Sequence, residues 1–297
     1  MKERKYGGVR RRTFYHKLKL MPMARKKNTQ MNDGDAEAHA RRLAKSLPGI
    51  GSIPIRMKCK NKTQKKLIQS IREKDITIVS GPAGTGKSYC QLYQAISLLK
   101  EFPEEYKKLM LIYPTEEDDS EAVGFLPGSI EEKMSVWARP DLYTIEKIIN
   151  ESTGKEEGKR RVEEMIQQGL IEIHPTTFLR GLTIDNAIIC VNEVQNFTKD
   201  QLLKILTRVG EFSKLIIAGD SLQISAKSIK KGKKESGLLY ALEVLQGMEE
   251  VGIIEFSAED IVRNPLIQKL LYRWDPETYS YLKDAPGIRE ENKEDEE

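Results

Sequence analysis

Histidine and cysteine are both scarce in this sequence. Three of each occur among 297 residues, without the paired spacing of a zinc site or of a disulfide framework. This scarcity argues against a histidine-based metal site and against a scaffold stapled by disulfides. The thiols are expected to be reduced and structural, as in a cytosolic protein. The cysteines are Cys59, Cys90 and Cys190, and the histidines are His16, His39 and His174.

Long apolar runs are missing as well. No stretch is apolar over the length needed to cross a bilayer, and the basic N-terminal residues lack the apolar segment of a secretion signal. We therefore expect a cytoplasmic protein with no membrane partner.

Positive charge is concentrated at one end of the chain. The formal net charge is only +4, yet residues 1–27 carry eleven lysines and arginines against the single acidic residue Glu3, with three aromatic residues among them. Because such a segment buries little apolar surface, we expect residues 1–59 to form a basic, largely flexible arm with one short helix. The arm either binds RNA or single-stranded DNA or is a solubilising tail. A folded domain is expected over residues 60–275 and an acidic flexible tail over residues 276–297.

A glycine-rich loop follows a short apolar run at residues 76–80. Its eight residues read Gly-Pro-Ala-Gly-Thr-Gly-Lys-Ser, the phosphate-binding loop pattern between a strand and a helix. Glycines allow the backbone to turn successive N–H groups toward a polyphosphate, and the opening helix adds its positive dipole end. Lys87 is expected to reach the β- and γ-phosphates, and the Ser88 hydroxyl to bind Mg²⁺. The residues expected to contact the nucleotide here are Gly81, Pro82, Ala83, Gly84, Thr85, Gly86, Lys87, Ser88 and Tyr89.

Two polar residues end the apolar strand predicted at residues 187–191. Glu193 is expected to orient or polarise the attacking water. The preceding position supplies an aspartate to the Mg²⁺ shell in P-loop enzymes, but here it is Asn192. An amide can still accept a hydrogen bond from a metal-bound water, although it brings no negative charge. We therefore expect weaker Mg²⁺ binding or slower hydrolysis, and a gain in turnover on Asn192→Asp if the missing charge is limiting.

Three further polar residues are candidates for the same site. An apolar run from residue 214 leads to Asp220 and Gln223. Gln223 is suited to sensing the γ-phosphate, and Asp220 to holding that sensor or the metal waters. Gln64 lies shortly before the P-loop strand, where its amide could pair with the donor and acceptor of an adenine edge. The alternative for Gln64, which the local sequence favours, is a solvated helix residue.

Together these segments resemble the PhoH family of P-loop ATPases, which is related to the superfamily-one helicases. The resemblance spans about residues 60–274, and the ordered set of segments is far more specific than any one motif. The segments are residues 81–88, Gly124-Phe125-Leu126-Pro127-Gly128, Arg180-Gly181, Asn192-Glu193-Val194-Gln195-Asn196, Gly219-Asp220-Ser221-Leu222-Gln223 and Val262-Arg263-Asn264-Pro265-Leu266.

The resemblance implies a role for individual residues. The implied roles are adenine recognition at Gln64, phosphate and metal binding at Lys87 and Ser88, catalysis at Glu193, and nucleotide sensing at Gln195, Asp220 and Gln223. Two positions depart from the family pattern. Asn192 replaces an acidic residue, which bears on the catalytic rate, and Tyr113 replaces an arginine before Pro114, which bears on nucleic-acid contact.

We expect a single RecA-like α/β P-loop NTPase domain, with a parallel sheet, helices on both faces and the nucleotide at the carboxyl ends of the strands. The expected function is Mg²⁺-dependent ATP hydrolysis coupled to binding or remodelling of RNA or single-stranded DNA. The alternative is an ATP-dependent regulatory switch that hydrolyses slowly or not at all. A small-molecule kinase is a third class, but residues 219–223 fit a helicase-like sensor better.

A homo-oligomer, and within that class a hexameric ring, is also expected. Only about fifty residues lie between Gln223 and the end of the family span at Trp274, too few for a second RecA-like domain. An arginine that completes the ATP site would then come from another chain, with Arg263, Arg208 and Arg180 as candidates. For any one of these arginines, an internal ion pair is the alternative.

Overall fold

The computed structural model describes residues 54–113, 130–179, 181–220, 236–262, 265–274, 276–277, 279–284 and 288. Predictions for residues 1–53, for residues 124–128, for most of the acidic tail and for Arg180, Gln223 and Arg263 lie outside this part of the chain. Within the predicted tail, Ser280–Asp284 form a 3₁₀ helix, and Leu282 and Ile288 are buried with Ile261, so this part of the tail is folded.

The described residues form one sheet of six parallel strands. Along the sheet the strands follow the order β3, β2, β4, β5, β1, β6, and every neighbouring pair is parallel. β4 and β5 are buried over their whole length, as expected for central strands of a parallel sheet covered on both faces. The strands are β1 (Ile76–Ser80), β2 (Lys108–Tyr113), β3 (Ile171–Pro175), β4 (Ala187–Val191), β5 (Lys214–Gly219) and β6 (Val251–Glu255).

Helices cover both faces of the sheet, which confirms the predicted fold class. Alternate residues of β4 show the division: Ile188 and Cys190 join the core that α1 to α4 cover, whereas Ile189 and Val191 join the core that α5 and α6 cover. The α-helices within the described residues are α1 (Lys62–Glu73), α2 (Lys87–Glu101), α3 (Ile130–Thr153), α4 (Gly158–Gln167), α5 (Lys199–Leu206), α6 (Gly237–Val244) and α7 (Pro265–Trp274).

The strand order brings the polar segments of the sequence together. β5 lies between β1 and β4, and all three strands run in the same direction, so their carboxyl ends meet at one edge of the sheet. The glycine-rich loop leaves β1 there, Asn192 and Glu193 follow β4, and Asp220 follows β5. This edge is where open α/β sheets bind their ligands.

The three cysteines are unpaired thiols, as the sequence predicts. Cys90 in α2 and Cys190 in β4 are buried, whereas Cys59 is partly exposed. Burial raises the pKa of the Cys90 thiol to about 12 and raises that of Cys190 as well, so both stay protonated and unreactive at neutral pH. Across the described residues, no helix is both long enough and apolar enough to cross a membrane.

Candidate functional site

The loop between β1 and α2 depends on three glycines. Gly81, Gly84 and Gly86 have φ angles of 137°, 88° and 85°, which residues with a Cβ rarely adopt. Gly86 is also the N-cap of α2, so the unpaired N–H groups of the first helical turn open at the loop. The predicted order of strand, loop and helix is confirmed.

A buried glutamine of α1 supports the loop from one side. Gln64 is 3% exposed; its Nε2 donates to the carbonyl oxygen of Thr85 at 2.9 Å, and its Oε1 accepts from the Lys60 N–H at 2.8 Å. The alternative that Gln64 is a solvated helix residue is therefore wrong. Adenine recognition by Gln64 stays a prediction, and these two bonds do not use up the four that a side-chain amide can make.

The segment after β6 supports the loop from the other side. The Phe256 N–H donates to the Ser80 carbonyl oxygen at 2.8 Å, and the Val262 N–H donates to the Gly84 carbonyl oxygen at 3.0 Å. Two parts of the chain that are distant in sequence thus fix the loop backbone. Arg263, the next residue, lies outside the described part of the chain, so its catalytic role stays a prediction.

The lysine of the loop folds back over it. Lys87 Nζ donates to the carbonyl oxygens of Gly81 and Pro82 at 2.6 and 2.8 Å. Its ammonium group therefore lies beside the same backbone that binds phosphate in P-loop proteins. The Thr85 hydroxyl donates to the Pro82 carbonyl oxygen at 3.1 Å, which closes the turn from inside.

A cleft opens beside the loop at the carboxyl edge of the sheet. It joins the start of α2 with the residues that follow β4 and β5, so it brings together predicted residues from three separate motifs. Tyr89 also lines the cleft, but its hydroxyl donates to Glu151 Oε2 of α3, and burial together with this bond raises its pKa. The lining residues are Ala83, Gly84, Gly86, Lys87, Ser88, Tyr89, Asn192, Glu193, Ala218, Gly219 and Asp220.

Glu193 has an unusual backbone conformation. It is exposed in the cleft and has φ 58° and ψ 36°, the left-handed region that only a few per cent of non-glycine residues adopt. Gln195 Nε2 donates to Glu193 Oε2 at 2.7 Å, while Gln195 Oε1 accepts from the Asp220 N–H at 3.2 Å. Gln195 thus links the ends of β4 and β5 and orients the Glu193 carboxylate. Its predicted part in nucleotide sensing stays a prediction.

Asn192 belongs to a buried hydrogen-bond network that the sequence did not reveal. Its Nδ2 donates to Asp141 Oδ2 at 2.7 Å, and its Oδ1 accepts from Gln91 Nε2. The Tyr113 hydroxyl donates to the same Asp141 oxygen at 2.6 Å. The two positions that depart from the family pattern, Tyr113 and Asn192, therefore share one carboxylate.

Asp141 is the functional candidate that sequence reasoning missed. Burial raises the pKa of its carboxyl above the usual value, and the hydrogen bonds from Tyr113 and Asn192 offset only part of that rise. One signal was available: Asp141 falls between Ala138 and Ile145 at helical spacing, on the buried face of α3. An acidic residue on an apolar helix face points to a buried polar partner.

The donor groups of the cleft fit Mg²⁺. The described residues contain no cluster of three or more His, Cys, Asp and Glu side chains that could hold a metal ion. Mg²⁺ needs none, because it binds one or two protein oxygens together with phosphate oxygens and water. Ser88 offers a hydroxyl and Asn192 an amide oxygen, and both line the cleft.

Comparison with known proteins shows the family of this chain. Residues 56–275 match the family model described as PhoH-like protein. The chain belongs to the PhoH family. It is 35% identical to a PhoH-like protein of Bacillus subtilis over 219 residues, covering 74% of this chain and 64% of that protein. It is 31% identical to protein PhoH of Escherichia coli over 215 residues, covering 72% of this chain and 57% of that one.

This PhoH-family chain therefore spans less than two thirds of these relatives. Among solved structures, the large terminase of a thermophilic bacteriophage matches with a TM-score of 0.40 and 11% identity, over 71% of this chain and 49% of that chain. That similarity is too low to support a functional comparison.

Proposed function

We propose that this chain binds ATP with Mg²⁺ in the cleft and hydrolyses it. The observation that carries the proposal is the meeting of Lys87 and Ser88, from the loop and α2, with Asn192 and Glu193 after β4. Lys87 and Ser88 are the residue types that bind a polyphosphate and its cation, and Glu193 is the type that orients an attacking water. We propose ATP and not another nucleoside triphosphate because Gln64 is predicted to recognise adenine.

Each group has a separate task in this proposal. The loop N–H groups and the start of α2 bind phosphate oxygens, and Lys87 neutralises charge on the β- and γ-phosphates. Mg²⁺, held by the Ser88 hydroxyl and through water by Asn192, supplies further positive charge against the phosphate oxygens. Glu193 orients the attacking water and accepts a proton from it, and Gln195 holds the Glu193 carboxylate in place.

Lys87→Ala tests the proposed site directly. Loss of charge-assisted hydrogen bonds to phosphate is expected to weaken ATP binding by about tenfold or more and to reduce turnover to background. Phosphate release and titration with a fluorescent ATP analogue measure the two effects. Lys66→Ala is the matched control, because Lys66 is an exposed lysine of α1 and does not line the cleft. Turnover of the unchanged chain no higher than that of Lys87→Ala would reject hydrolysis.

A regulatory switch is the second candidate function. Asn192 brings no negative charge, and both ends of its amide are hydrogen-bonded within the protein. ATP binding that depends on Lys87, combined with turnover at background, would favour the switch over the ATPase.

We also propose that the ATP cycle is coupled to RNA or single-stranded DNA. Besides the basic arm, an aromatic pair at the end of β3, of which Phe178 is exposed and His174 partly buried, supports this. Phe178, which is 52% exposed, stacks on His174 with ring centroids 4.4 Å apart and an angle of 11° between the rings. Glu172 beside them is bonded to Lys108 Nζ at 3.0 Å and to His174 Nε2 at 2.9 Å. Burial alone would raise the pKa of Glu172, but these bonds hold it below its usual value, so Glu172 stays ionised. The Lys108 ammonium offsets its negative charge.

Phe178→Ala is expected to weaken binding of a single-stranded oligonucleotide by about tenfold, because one base loses its stacking partner. Fluorescence anisotropy with labelled oligo-uridine measures the change. Phe212→Ala is the matched control, since Phe212 is 47% exposed but precedes β5 at the opposite edge of the sheet. Equal affinities of the two variants would remove Phe178 from the nucleic-acid surface.

A homo-oligomer completes the proposal. The Arg208 guanidinium donates to the carbonyl oxygens of Lys204 and Leu182 within its own chain, each at 3.1 Å, which argues against Arg208 as the arginine that completes a neighbouring site. Arg180 and Arg263 stay candidates. Light scattering with and without ATP tests the assembly, and a monomer under both conditions contradicts it.

Exposed apolar residues at four-residue spacing on α7 suit an interface with a second copy; they are Leu266, Leu270 and Trp274.

A further inference from the structure

Both ends of the Asn192 amide are bonded to buried side chains. Nδ2 donates to Asp141 Oδ2 at 2.7 Å, and Oδ1 accepts from Gln91 Nε2. Asn192 and Asp141 are each 7% exposed and Gln91 is fully buried. Contact with Asp141 fixes the orientation of this amide, because turning it over would place the Asn192 oxygen against Asp141 Oδ2, which already accepts hydrogen bonds.

The carboxylate of Asp141 decides that orientation. Asp141 Oδ2 accepts hydrogen bonds, so it must face the N–H₂ group of Asn192 and not the amide oxygen. The Tyr113 hydroxyl donates to the same oxygen at 2.6 Å. The two donors therefore supply the hydrogen bonds that this buried oxygen cannot obtain from water. Asn192 Oδ1 therefore points away from Asp141 and keeps a second lone pair beyond its bond with Gln91.

We propose that Asp141 is a positioning residue, which turns the Asn192 amide so that its oxygen can accept a hydrogen bond from a metal-bound water. An aspartate at position 192 would need no such partner, since both of its oxygens accept. An asparagine does need an orienting partner, because an N–H₂ group that faced the cation would be repelled by it. The carboxylate absent from the end of β4 is thus matched by a carboxylate on α3. This inference rests on the proposed Mg²⁺ and ATP site.

The geometry changes the expectation for Asn192→Asp. A carboxylate at position 192 would lie within hydrogen-bond distance of the buried Asp141 carboxylate, and two such groups repel unless one of them is protonated. We therefore expect Asn192→Asp alone to lower the Tm by about 5 °C instead of raising turnover. Combining it with Asp141→Asn exchanges acid and amide and is expected to restore the Tm.

A double-mutant cycle of Asp141→Asn, Asn192→Asp and the exchanged pair tests the proposal. Thermal unfolding of the full chain without nucleotide measures the contact itself. Titration with a fluorescent, non-hydrolysable ATP analogue, in Mg²⁺ and in EDTA, measures its effect on the site. Asp200→Asn, at an exposed position of α5, controls for the loss of a carboxylate.

Asp141→Asn is expected to reduce the tightening of nucleotide binding by Mg²⁺ about tenfold, as loss of a group that orients a metal ligand does. Affinity in EDTA should stay unchanged, whereas a merely structural role would lower both affinities. The exchanged pair should recover both the Tm and the Mg²⁺ dependence.

Two results would overturn the role of Asp141: additive effects on Tm, or unchanged Mg²⁺ dependence in every variant. If the unchanged chain binds no nucleotide, the proposed function fails and the Mg²⁺ role of Asp141 fails with it. Nucleotide binding that tightens equally with Mg²⁺ in all variants rejects the Asp141 role alone.

Discussion

Glu193→Gln is expected to lower ATP turnover by roughly 10²- to 10⁴-fold while ATP still binds. The amide keeps the shape of the side chain and its hydrogen bond with Gln195, but it cannot accept a proton from the attacking water. Glu193 follows β4, whereas the loop and Lys87 lie between β1 and α2, so phosphate binding by the loop should not change.

Steady-state phosphate release and equilibrium binding of a fluorescent ATP analogue separate the two properties of Glu193→Gln. Glu211→Gln is the matched control, because Glu211 is exposed and precedes β5, at the edge of the sheet away from the cleft. If Glu193→Gln hydrolyses ATP at the rate of the unchanged chain, another group activates the water. If it loses binding and turnover together, the carboxylate supports the nucleotide and not the chemistry.

Gly81→Ala is expected to cost about 4 kcal/mol of unfolding free energy. A Cβ at this position would lie 2.5 Å from the Phe256 carbonyl oxygen and 2.7 Å from the Phe256 Cβ. The backbone cannot move aside easily, because the Phe256 N–H is bonded to the Ser80 carbonyl oxygen at 2.8 Å. The φ of 137° adds strain for any residue with a side chain.

Urea unfolding followed by circular dichroism measures this loss. Gly169→Ala is the control, since Gly169 also has a positive φ, of 71°, but a Cβ there meets nothing within 4 Å. It should cost only the strain of the left-handed backbone, about 1 kcal/mol. Equal losses in the two variants would show that the close approach of β6 to the loop does not stabilise the fold.

Local patterns made much of this fold predictable. The strands at Ile76–Ser80 and Ala187–Val191 are short apolar runs bounded by polar residues, and α2 begins at Lys87 as the P-loop pattern requires. The sequence pattern also predicted that Asn192, Glu193 and Asp220 lie beside the loop, because parallel strands end at the same edge of a sheet. Gln64 was identified as a candidate, but its burial against Thr85 depends on how α1 packs and could not be read from local sequence.

The sequence by itself determined the phosphate-binding loop, the polar pair Asn192 and Glu193, and the family, because each depends on residues that are close along the chain. Only the tertiary structure decided what surrounds Asn192. Gln91 and Asp141 lie 101 and 51 positions from it in sequence. Whether an amide is free or fixed depends on which side chains the packed helices bring to it, and on whether water is excluded. In the sequence, Asn192 is only a missing negative charge at the end of β4. In the fold, it is part of a buried hydrogen-bond network with Asp141 and Gln91.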